Sequence, residues 1–505
     1  MVKGTKRLVG KGNTVLRLAA LSFAGLLWVL AHGKWIVPLA SWLAPMLMLY
    51  FMRRSRLAYG PLSVAAVVAA ATYLSFLGII PLEGIAYAAF CIGFGFFIMI
   101  PMLLDRWIHK KHRGFFSTLA FPSAYVVFEF AATSFSPFGS WGSWAYTQYE
   151  VLPLMQLARY TGLWGITFLI MWGASTANWV WERRESWQQI RKGAGVYTVS
   201  LLLVIFAGSA QLAMFPADSP TIRVASLSLH DIDGFKKLSS LAVRGMLDEA
   251  EMETFRMKSI RNQNDLLQRS RLEAKAGAKI VVWAEANAPV LERDMQDFIE
   301  RAAAVAKEEG IYLLAGIGEV KELEGVRDEI KQLTFDPNGI LVDTYLKTIQ
   351  VPGWEASTFA SGDGIHVIDT MYGKLGIAIC FDADHPALMR EAGKQGVDMM
   401  IVPSNEWVEL DPLHTHMAMV RAIENGYSLL RHTSGAYSLA VDGRGRELGG
   451  MHHSTSQDRT LVVQMNTDGY GGASYVRWGD WFAWITIASL AALIIIALRN
   501  KPYHT

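Results

Sequence analysis

The chain has 505 residues, of which 52% are hydrophobic and only 18% are charged. Soluble globular domains carry about 25% charged residues, so this composition excludes a purely soluble protein. The formal net charge is +2, and the sequence has no long basic run or repeat, which argues against nucleic-acid binding. The length allows two or three ordinary domains.

Eight apolar stretches are long enough, and poor enough in charge, to predict membrane-spanning helices. They are Leu16–Ala31, Trp35–Phe51, Leu62–Ile80, Ile85–Leu104, Phe116–Thr133, Leu163–Trp181, Tyr197–Phe215 and Trp481–Leu498. The first is not a cleavable signal peptide, since no small-residue cleavage site precedes a soluble domain and further spans follow. The sequence thus predicts seven spans in residues 1–216, a hydrophilic domain in 217–478, and a last span with its tail in 479–505.

The charges of the loops predict the orientation of these spans. Basic residues cluster in alternate loops, at positions 3–11, 53–56, 106–113 and 183–192, and Arg499 and Lys501 follow the last span. Loops rich in Lys and Arg stay on the cytoplasmic side of a membrane. Seven spans then place the hydrophilic domain on the outer side of the membrane.

Two features of the predicted bundle are open to more than one interpretation. The loop Ser134–Pro153 is rich in aromatic residues, among them Trp141, Trp144 and Tyr146. It is either an interfacial anchor belt or a contact for a lipid chain or headgroup. Glu129 lies inside the fifth span, where a charge is costly and has either a paired structural role or a substrate role.

The hydrophilic domain alternates short apolar β-type runs with helical stretches, which predicts a layered α/β domain. Three of these runs end in a reactive side chain, namely Glu285, Lys347 and Cys380. Groups at strand ends can converge on one site. The thiol would be an acyl nucleophile and Glu285 its general base. Lys347 would lower the thiol pKa and, with a backbone N–H after Cys380, stabilise an oxyanion.

Each of these residues alone is more often structural, but the strings around them are specific. In chain order they are Trp283-Ala284-Glu285, Lys347 followed by Val351-Pro352 and Glu355, Cys380-Phe381-Asp382, Ser404-Asn405-Glu406, Arg421-Ala422-x-Glu424 and Leu430-Arg431-x-Thr433. These strings resemble the nitrilase, or carbon–nitrogen hydrolase, superfamily. Their combination with membrane segments resembles its membrane-bound apolipoprotein N-acyltransferase family.

The resemblance implies an αββα sandwich inserted between transmembrane helices, seven before it and one after it. It implies a catalytic triad of Glu285, Lys347 and Cys380. It further implies supporting or substrate-binding roles for Trp354, Glu355, Phe381 and Asp382, with Glu355 near the acceptor amine and Asp382 a weaker candidate for that task. No metal or other cofactor is implied, and His414 and His416 are interpreted as structural.

Five neighbours of the triad depart from the family pattern. Ala284 stands in place of Pro, and Gly353-Trp354 in place of Phe-Gly. Phe381 lacks the hydroxyl of the family's Tyr, and Asp382 is one methylene shorter than its Glu. Because these residues surround the expected site of the incoming amine, the identity of the acceptor stays open.

The reaction implied by the resemblance has two steps. Cys380 takes a fatty acyl chain from a phospholipid, and the resulting thioester is passed to the N-terminal amine of a diacylglyceryl-cysteine lipoprotein. The expected partners are the phospholipid, the lipoprotein and the surrounding membrane lipids, with the chain acting as a monomer. The alternatives are a membrane-tethered amidase, an acyltransferase for a different amine, and a non-catalytic scaffold, which the intact triad disfavours.

Overall fold

The computed structural model describes residues 2–112, 114–184, 187–214, 220–230, 232–323 and 325–500. Arg113, Phe215, residues 217–219 and Lys501, which belong to the predicted loops, spans and domain boundary, lie outside the described residues. The described chain forms two compact units. Residues 2–136, 142–214 and 478–500 form a helical unit, and residues 137–141 and 220–477 form an α/β unit.

The helical unit has a helix at each apolar stretch that the sequence singles out. Its helices are α1 Val2–Ala31, α2 Pro38–Arg54, α3 Gly60–Ser75, α4 Gly84–Lys111, α5 Ala120–Phe135, α6 Leu152–Met155, α7 Ala158–Thr161, α8 Leu163–Glu182, α9 Trp187–Met214 and α17 Trp481–Arg499. Five described helices are long and apolar enough to cross a membrane. The arrangement of seven spans before the α/β domain and one after it stays a prediction.

Charged groups tie several helices of this unit together. Arg53, at the end of α2, donates to both oxygens of Asp105 in α4, at 2.8 and 2.9 Å, and to Ser175 in α8 at 3.0 Å. Arg106 donates to the backbone oxygen of Ser55 at 2.6 Å. Buried ions persist when they are paired and hydrogen-bonded. These basic residues, which the sequence places among the loop charges, therefore also hold helices together.

Glu129 is buried and has partners within the helical unit. The hydroxyl groups of Ser143 and Thr167 both donate to its carboxylate. This supports the paired structural role for Glu129.

The aromatic loop Ser134–Pro153 is not one uniform interfacial belt, because Trp144 is fully buried and donates its indole N–H to the backbone oxygen of Ser41 at 2.9 Å.

The α/β unit contains two β-sheets. The seven-stranded sheet consists of β1 Thr221–Leu227, β2 Ile280–Trp283, β3 Ala288–Leu291, β4 Tyr312–Val320, β5 Glu329–Phe335, β6 Leu341–Leu346 and β13 Thr460–Asn466, in the order β13-β1-β2-β4-β5-β6 with β3 beside β4. The six-stranded sheet runs β12-β11-β10-β9-β8-β7 and consists of β7 His366–Thr370, β8 Gly373–Ile377, β9 Met399–Ser404, β10 Ser428–Thr433, β11 Tyr437–Val441 and β12 Glu447–His452.

The two sheets pack face to face, with helices on their outer faces. The helices of this unit are α10 Ile232–Val243, α11 Glu249–Lys275, α12 Met295–Glu309, α13 Trp354–Thr358, α14 Pro386–Lys394, α15 Leu413–Asn425 and α16 Ser474–Trp478. Helix α11 begins with a capping box in which Asp248 and Glu251 each accept from the other's backbone N–H.

Alternation along β2 shows how the layers arise. Ile280 and Val282 point into the core between the sheets, whereas Val281 and Trp283 pack with residues of α11 and α12. A strand buried on both faces is expected to be continuously apolar. Helix α15 contacts β10 and β11 of the other sheet. The domain is therefore the expected αββα sandwich.

Candidate active site

The three predicted triad residues meet where strands of both sheets end. Glu285 follows β2 and Lys347 follows β6, both in the seven-stranded sheet, whereas Cys380 follows β8 in the six-stranded sheet. The Nζ atom of Lys347 lies 2.8 Å from Oε1 of Glu285. The Cys380 thiol lies close enough to the Glu285 carboxylate for each to shift the pKa of the other. The fold thus brings together three groups that are up to 95 positions apart in the sequence.

Lys347 is a fully buried ammonium held between two carboxylates. Its Nζ donates to Glu285 and to Oε2 of Glu355, each at 2.8 Å. Burial by itself lowers the pKa of Lys347, but the charges of Glu285 and Glu355 outweigh it and raise that pKa well above the usual value. The side chain therefore stays charged and can stabilise developing negative charge beside it.

Glu285 has the properties of a general base. Its second oxygen accepts from the backbone N–H of Asn405 at 2.8 Å, which fixes the carboxylate. Burial raises the pKa of Glu285, and the neighbouring Lys347 partly opposes this rise. A carboxyl group with a raised pKa is a stronger proton acceptor once ionised.

Burial and the charge of Glu285 raise the pKa of the Cys380 thiol well above its ordinary value. Lys347 lowers this pKa, as expected from the sequence, but it does not outweigh the other two causes. The resting nucleophile is therefore a thiol that must give up its proton to a base, and Glu285 is the carboxylate that contacts it.

The backbone at Cys380 is strained. Its φ angle is +50°, in the left-handed region that non-glycine residues seldom adopt. Such a conformation costs on the order of 1–3 kcal/mol and persists only where the surrounding structure enforces it. Cys380 begins a tight 3₁₀ turn that ends at Asp384, and we call Cys380–Asp384 the nucleophile turn.

Asp382 is one of the groups that hold the nucleophile turn. Its fully buried carboxylate accepts from the backbone N–H groups of Ile379 and Ile349, at 2.9 and 2.7 Å, and from the hydroxyl of Tyr345 at 2.7 Å. Burial raises the pKa of Asp382 to about 6. Its oxygens point to backbone and Tyr345, so the structure favours a positioning role over direct contact with an amine.

The other predicted supporting residues fall into two groups. Phe381 is buried, with its ring 5.2 Å from that of His385 in an edge-on contact. Glu355 and Trp354 line a cavity of about 370 Å³, and Glu285 lies at the same cavity. Trp354 is 43% exposed. Binding sites of small molecules commonly have such volumes and combine apolar walls with a few polar groups.

The cavity has apolar and polar side chains in its walls. Its apolar lining includes Leu229, Phe235, Val243, Val320 and Phe359. Arg244 lines it as well, with its guanidinium 5.5 Å above the Trp354 ring. The cavity therefore combines apolar walls with several polar and charged groups.

A buried polar cluster lies behind the nucleophile. Arg431 donates to Oε1 of Glu406 at 2.6 and 3.0 Å and to the backbone oxygen of Cys380 at 3.1 Å. The same guanidinium lies 3.0 Å from Nδ1 of His414, whose Nε2 lies 2.7 Å from Asp384. The sequence indicates Glu406 and Arg431 as part of family strings, but it gives no sign that His414 and Asp384 join them.

Cys380, Glu406 and His414 each offer one atom within 4.8 Å of the others, a grouping that resembles a metal site. Arg431, however, already contacts Glu406 and His414. A guanidinium cannot lose its charge, and a cation placed beside it would be repelled. The residues therefore fit an ion-paired support for Cys380 better than a metal centre.

Two family models match the chain in tandem. The apolipoprotein N-acyltransferase N-terminal domain matches residues 24–176, and the carbon–nitrogen hydrolase domain matches residues 251–471. The second match contains the whole triad. Together the two models cover parts of both compact units.

Two sequence relatives of known name agree with these matches. The apolipoprotein N-acyltransferase of Geobacter metallireducens is 27% identical over 422 residues, which are 78% of this chain and 77% of that protein. An omega-amidase of Saccharomyces cerevisiae is 32% identical over 150 residues, about half of its length and 26% of this chain. A solved amidase from Nesterenkonia sp. has a TM-score of 0.40 and 17% identity, covering 51% of this chain and 93% of that one.

The strings around the triad, the αββα sandwich, the apolar helices and the two family models all agree. The chain belongs to the nitrilase, or carbon–nitrogen hydrolase, superfamily, and it is a membrane protein related to the apolipoprotein N-acyltransferases.

Proposed function

We propose that this protein is an N-acyltransferase that moves a fatty acyl chain from a phospholipid to the N-terminal amine of a diacylglyceryl-cysteine lipoprotein. The observation that carries the proposal is the buried cluster of Glu285, Lys347 and Cys380, of which Glu285 also lines a cavity with both apolar and polar walls. The extent of the match to the Geobacter relative, which includes the membrane helices, favours acyl transfer over simple amide hydrolysis. A soluble amidase needs no such helices.

The first step acylates Cys380. Glu285 takes the thiol proton while the sulfur attacks the ester carbonyl of the phospholipid, and Lys347 stabilises the negative oxygen that forms. The carbon–oxygen bond of the ester then breaks. Glu285 returns the proton to the leaving oxygen, so that a lysophospholipid departs and a thioester remains on Cys380.

The second step transfers the acyl chain. The neutral amine of the lipoprotein attacks the thioester carbonyl, and Glu285 accepts a proton from its nitrogen. The carbon–sulfur bond breaks and the sulfur regains a proton, which restores the thiol and leaves an amide on the acceptor. We place Glu355 near the amine, because its carboxylate lines the cavity and also pairs with Lys347.

The proposed location is a bacterial inner membrane, with the α/β unit on the periplasmic side. The distribution of basic loops supports this orientation. Both substrates carry hydrocarbon chains and would reside in the outer leaflet of that membrane. We propose that the chain acts as a monomer.

The two cysteines of the chain allow a direct test of the proposal. The purified protein is incubated with a phospholipid that carries a labelled acyl chain, and we expect a labelled thioester that hydroxylamine releases. The Cys380→Ala variant should lose this adduct, whereas Cys91→Ala, which changes a buried cysteine of the helical unit, should keep it. The labelled thioester should then disappear when a diacylated lipopeptide is added.

Two results would contradict the proposal. Labelling that persists in the Cys380→Ala variant would refute the nucleophile. Absence of labelling by any phospholipid, together with triad-dependent release of ammonia from a small amide, would show a membrane-tethered amidase instead.

A further inference from the structure

A short segment from the aromatic loop belongs to the α/β unit. Residues Pro137–Trp141, which follow α5 in the sequence, group with residues of the sandwich and not with the helices that flank them in the chain. We call them the 137–141 segment. The family strings around the triad do not include this segment, and the proposed reaction gives it no role.

The segment contacts the far end of the nucleophile turn. Ser140 donates to the backbone oxygen of Asp384 twice, from its N–H at 2.9 Å and from its hydroxyl at 2.6 Å. The indole N–H of Trp141 donates to Oδ2 of Asp384 at 2.6 Å. Gly139 lies so close that an added Cβ would sit 2.5 Å from the same backbone oxygen. The segment therefore fits Asp384 closely on several sides.

Asp384 is connected to the backbone of Cys380 through two further side chains. Its carboxylate lies 2.7 Å from His414, and His414 lies 3.0 Å from Arg431, which donates to the backbone oxygen of Cys380. The ring of Trp141 also packs against that of His414, with centroids 5.4 Å apart. Both ends of the five-residue nucleophile turn are thus held by one connected set of polar contacts.

The residues that make these contacts are buried, so that the loss of one partner weakens the whole network. Asp384 and Arg431 are fully buried and His414 is 3% exposed, so water cannot readily replace a lost partner. Polar networks in such surroundings are rigid when every member is satisfied and are weakened when one is removed. The nucleophile turn begins with the strained backbone of Cys380, which needs this kind of support.

We propose that the 137–141 segment positions the nucleophile, because Ser140 and Trp141 fix Asp384 and, through His414 and Arg431, the backbone of Cys380. Ser140 and Trp141 are positioning residues, since they act through other groups and not on the substrate. The inference rests on the proposed function only in that Cys380 is the reactive group.

The test measures the reactivity of the Cys380 thiol in the full chain in detergent. The second-order rate of alkylation by iodoacetamide is followed at Cys380 by mass spectrometry, and thermal unfolding is followed in parallel. Trp141→Phe keeps an aromatic ring but removes the indole donor. We expect it to slow alkylation of the folded protein about tenfold, which corresponds to about 1.4 kcal/mol. Trp181→Phe, at an exposed tryptophan of α8, should react like the parent.

A glycine pair provides a second comparison. Gly139 and Gly84 have nearly the same φ angles, +57° and +56°, but a Cβ at Gly84 would meet nothing within 4 Å. Gly139→Ala should therefore slow alkylation of Cys380, whereas Gly84→Ala, which carries the same backbone strain, should not. If the 137–141 segment had only a structural role, Trp141→Phe and Gly139→Ala would lower the melting temperature. Neither variant would then change the rate at which Cys380 of the folded protein is alkylated.

The outcomes separate this inference from the proposed function. Parental alkylation rates in Trp141→Phe and Gly139→Ala would overturn the positioning role, even if phospholipid labels Cys380. Slower alkylation in both variants would uphold it, even if no phospholipid labels the parent.

Discussion

At the scale of single residues, charge balance decides how the triad works. One buried ammonium, on Lys347, faces the two carboxylates of Glu285 and Glu355. Burial raises the pKa of Glu285, the charge of Lys347 lowers it, and the charge of Glu355 raises it again. Glu355 thus adjusts the base as well as the cation, a role that the sequence does not reveal.

This arrangement predicts the effect of Glu355→Gln on pH dependence. Glu285 must be ionised to accept the thiol proton, so the rate of Cys380 alkylation should rise with pH through the pKa of Glu285. Removal of the negative charge at position 355 lowers that pKa, because less repulsion opposes ionisation. The acid limb of the pH–rate profile, in which the alkylation rate of Cys380 rises with pH, should therefore move to lower pH.

The measurement is the rate of iodoacetamide alkylation at Cys380 across the acid range. Asp363→Asn is the control, since that carboxylate side chain is 93% exposed and should leave the limb in place. A shift of the acid limb to higher pH in Glu355→Gln would contradict the assignment of Glu285 as the base.

At the scale of elements, Asp382 joins two loops from different sheets. It accepts from Ile379, which precedes the nucleophile, and from Ile349, which follows the triad lysine. This carboxylate therefore links the backbone after β8 of one sheet to the backbone after β6 of the other. The shortened side chain relative to the family's Glu is consistent with such a short, fixed connection.

Asp382→Asn should destabilise the α/β unit. An amide group has one acceptor oxygen, whereas the carboxylate uses both oxygens to accept from backbone N–H groups and Tyr345. A buried donor left without its acceptor costs about 1–3 kcal/mol. We expect the free energy of unfolding, measured by denaturant titration in detergent, to fall by about that amount. Asp363→Asn should leave it unchanged, and an equal loss in both variants would refute the connecting role.

The elements themselves could be predicted where the pattern is local. Apolar runs of sufficient length mark the helices of the membrane region, and the apolar run Ile280–Trp283 marks a strand buried on both faces. The apolar runs also predicted that Glu285, Lys347 and Cys380 come together, because each of them follows the end of a strand. The contact of Trp141 with Asp384 could not be predicted in this way. The two residues lie 243 positions apart, and no local pattern links them.

At the scale of the whole molecule, the two units differ in where their large apolar side chains lie. The helical unit exposes large apolar side chains such as Leu26, Ile85 and Phe206, which suit a lipid environment. The α/β unit instead buries its apolar residues between and behind two sheets. One chain therefore combines a helical unit whose surface suits lipid with an α/β unit whose apolar side chains form an interior core.

The proposed orientation predicts which positions face the outside of the cell. In a Cys91→Ala, Cys380→Ala background, a single cysteine at Asp363 should react with a membrane-impermeant maleimide when only the outer membrane is permeabilised. Asp363 belongs to the α/β unit and its side chain is 93% exposed. A single cysteine at Arg184, in a basic loop predicted to be cytoplasmic, should react only after lysis. Labelling of the Arg184 position before lysis, with protection of the Asp363 position, would reverse the orientation and place the triad on the cytoplasmic side, away from substrates in the outer leaflet.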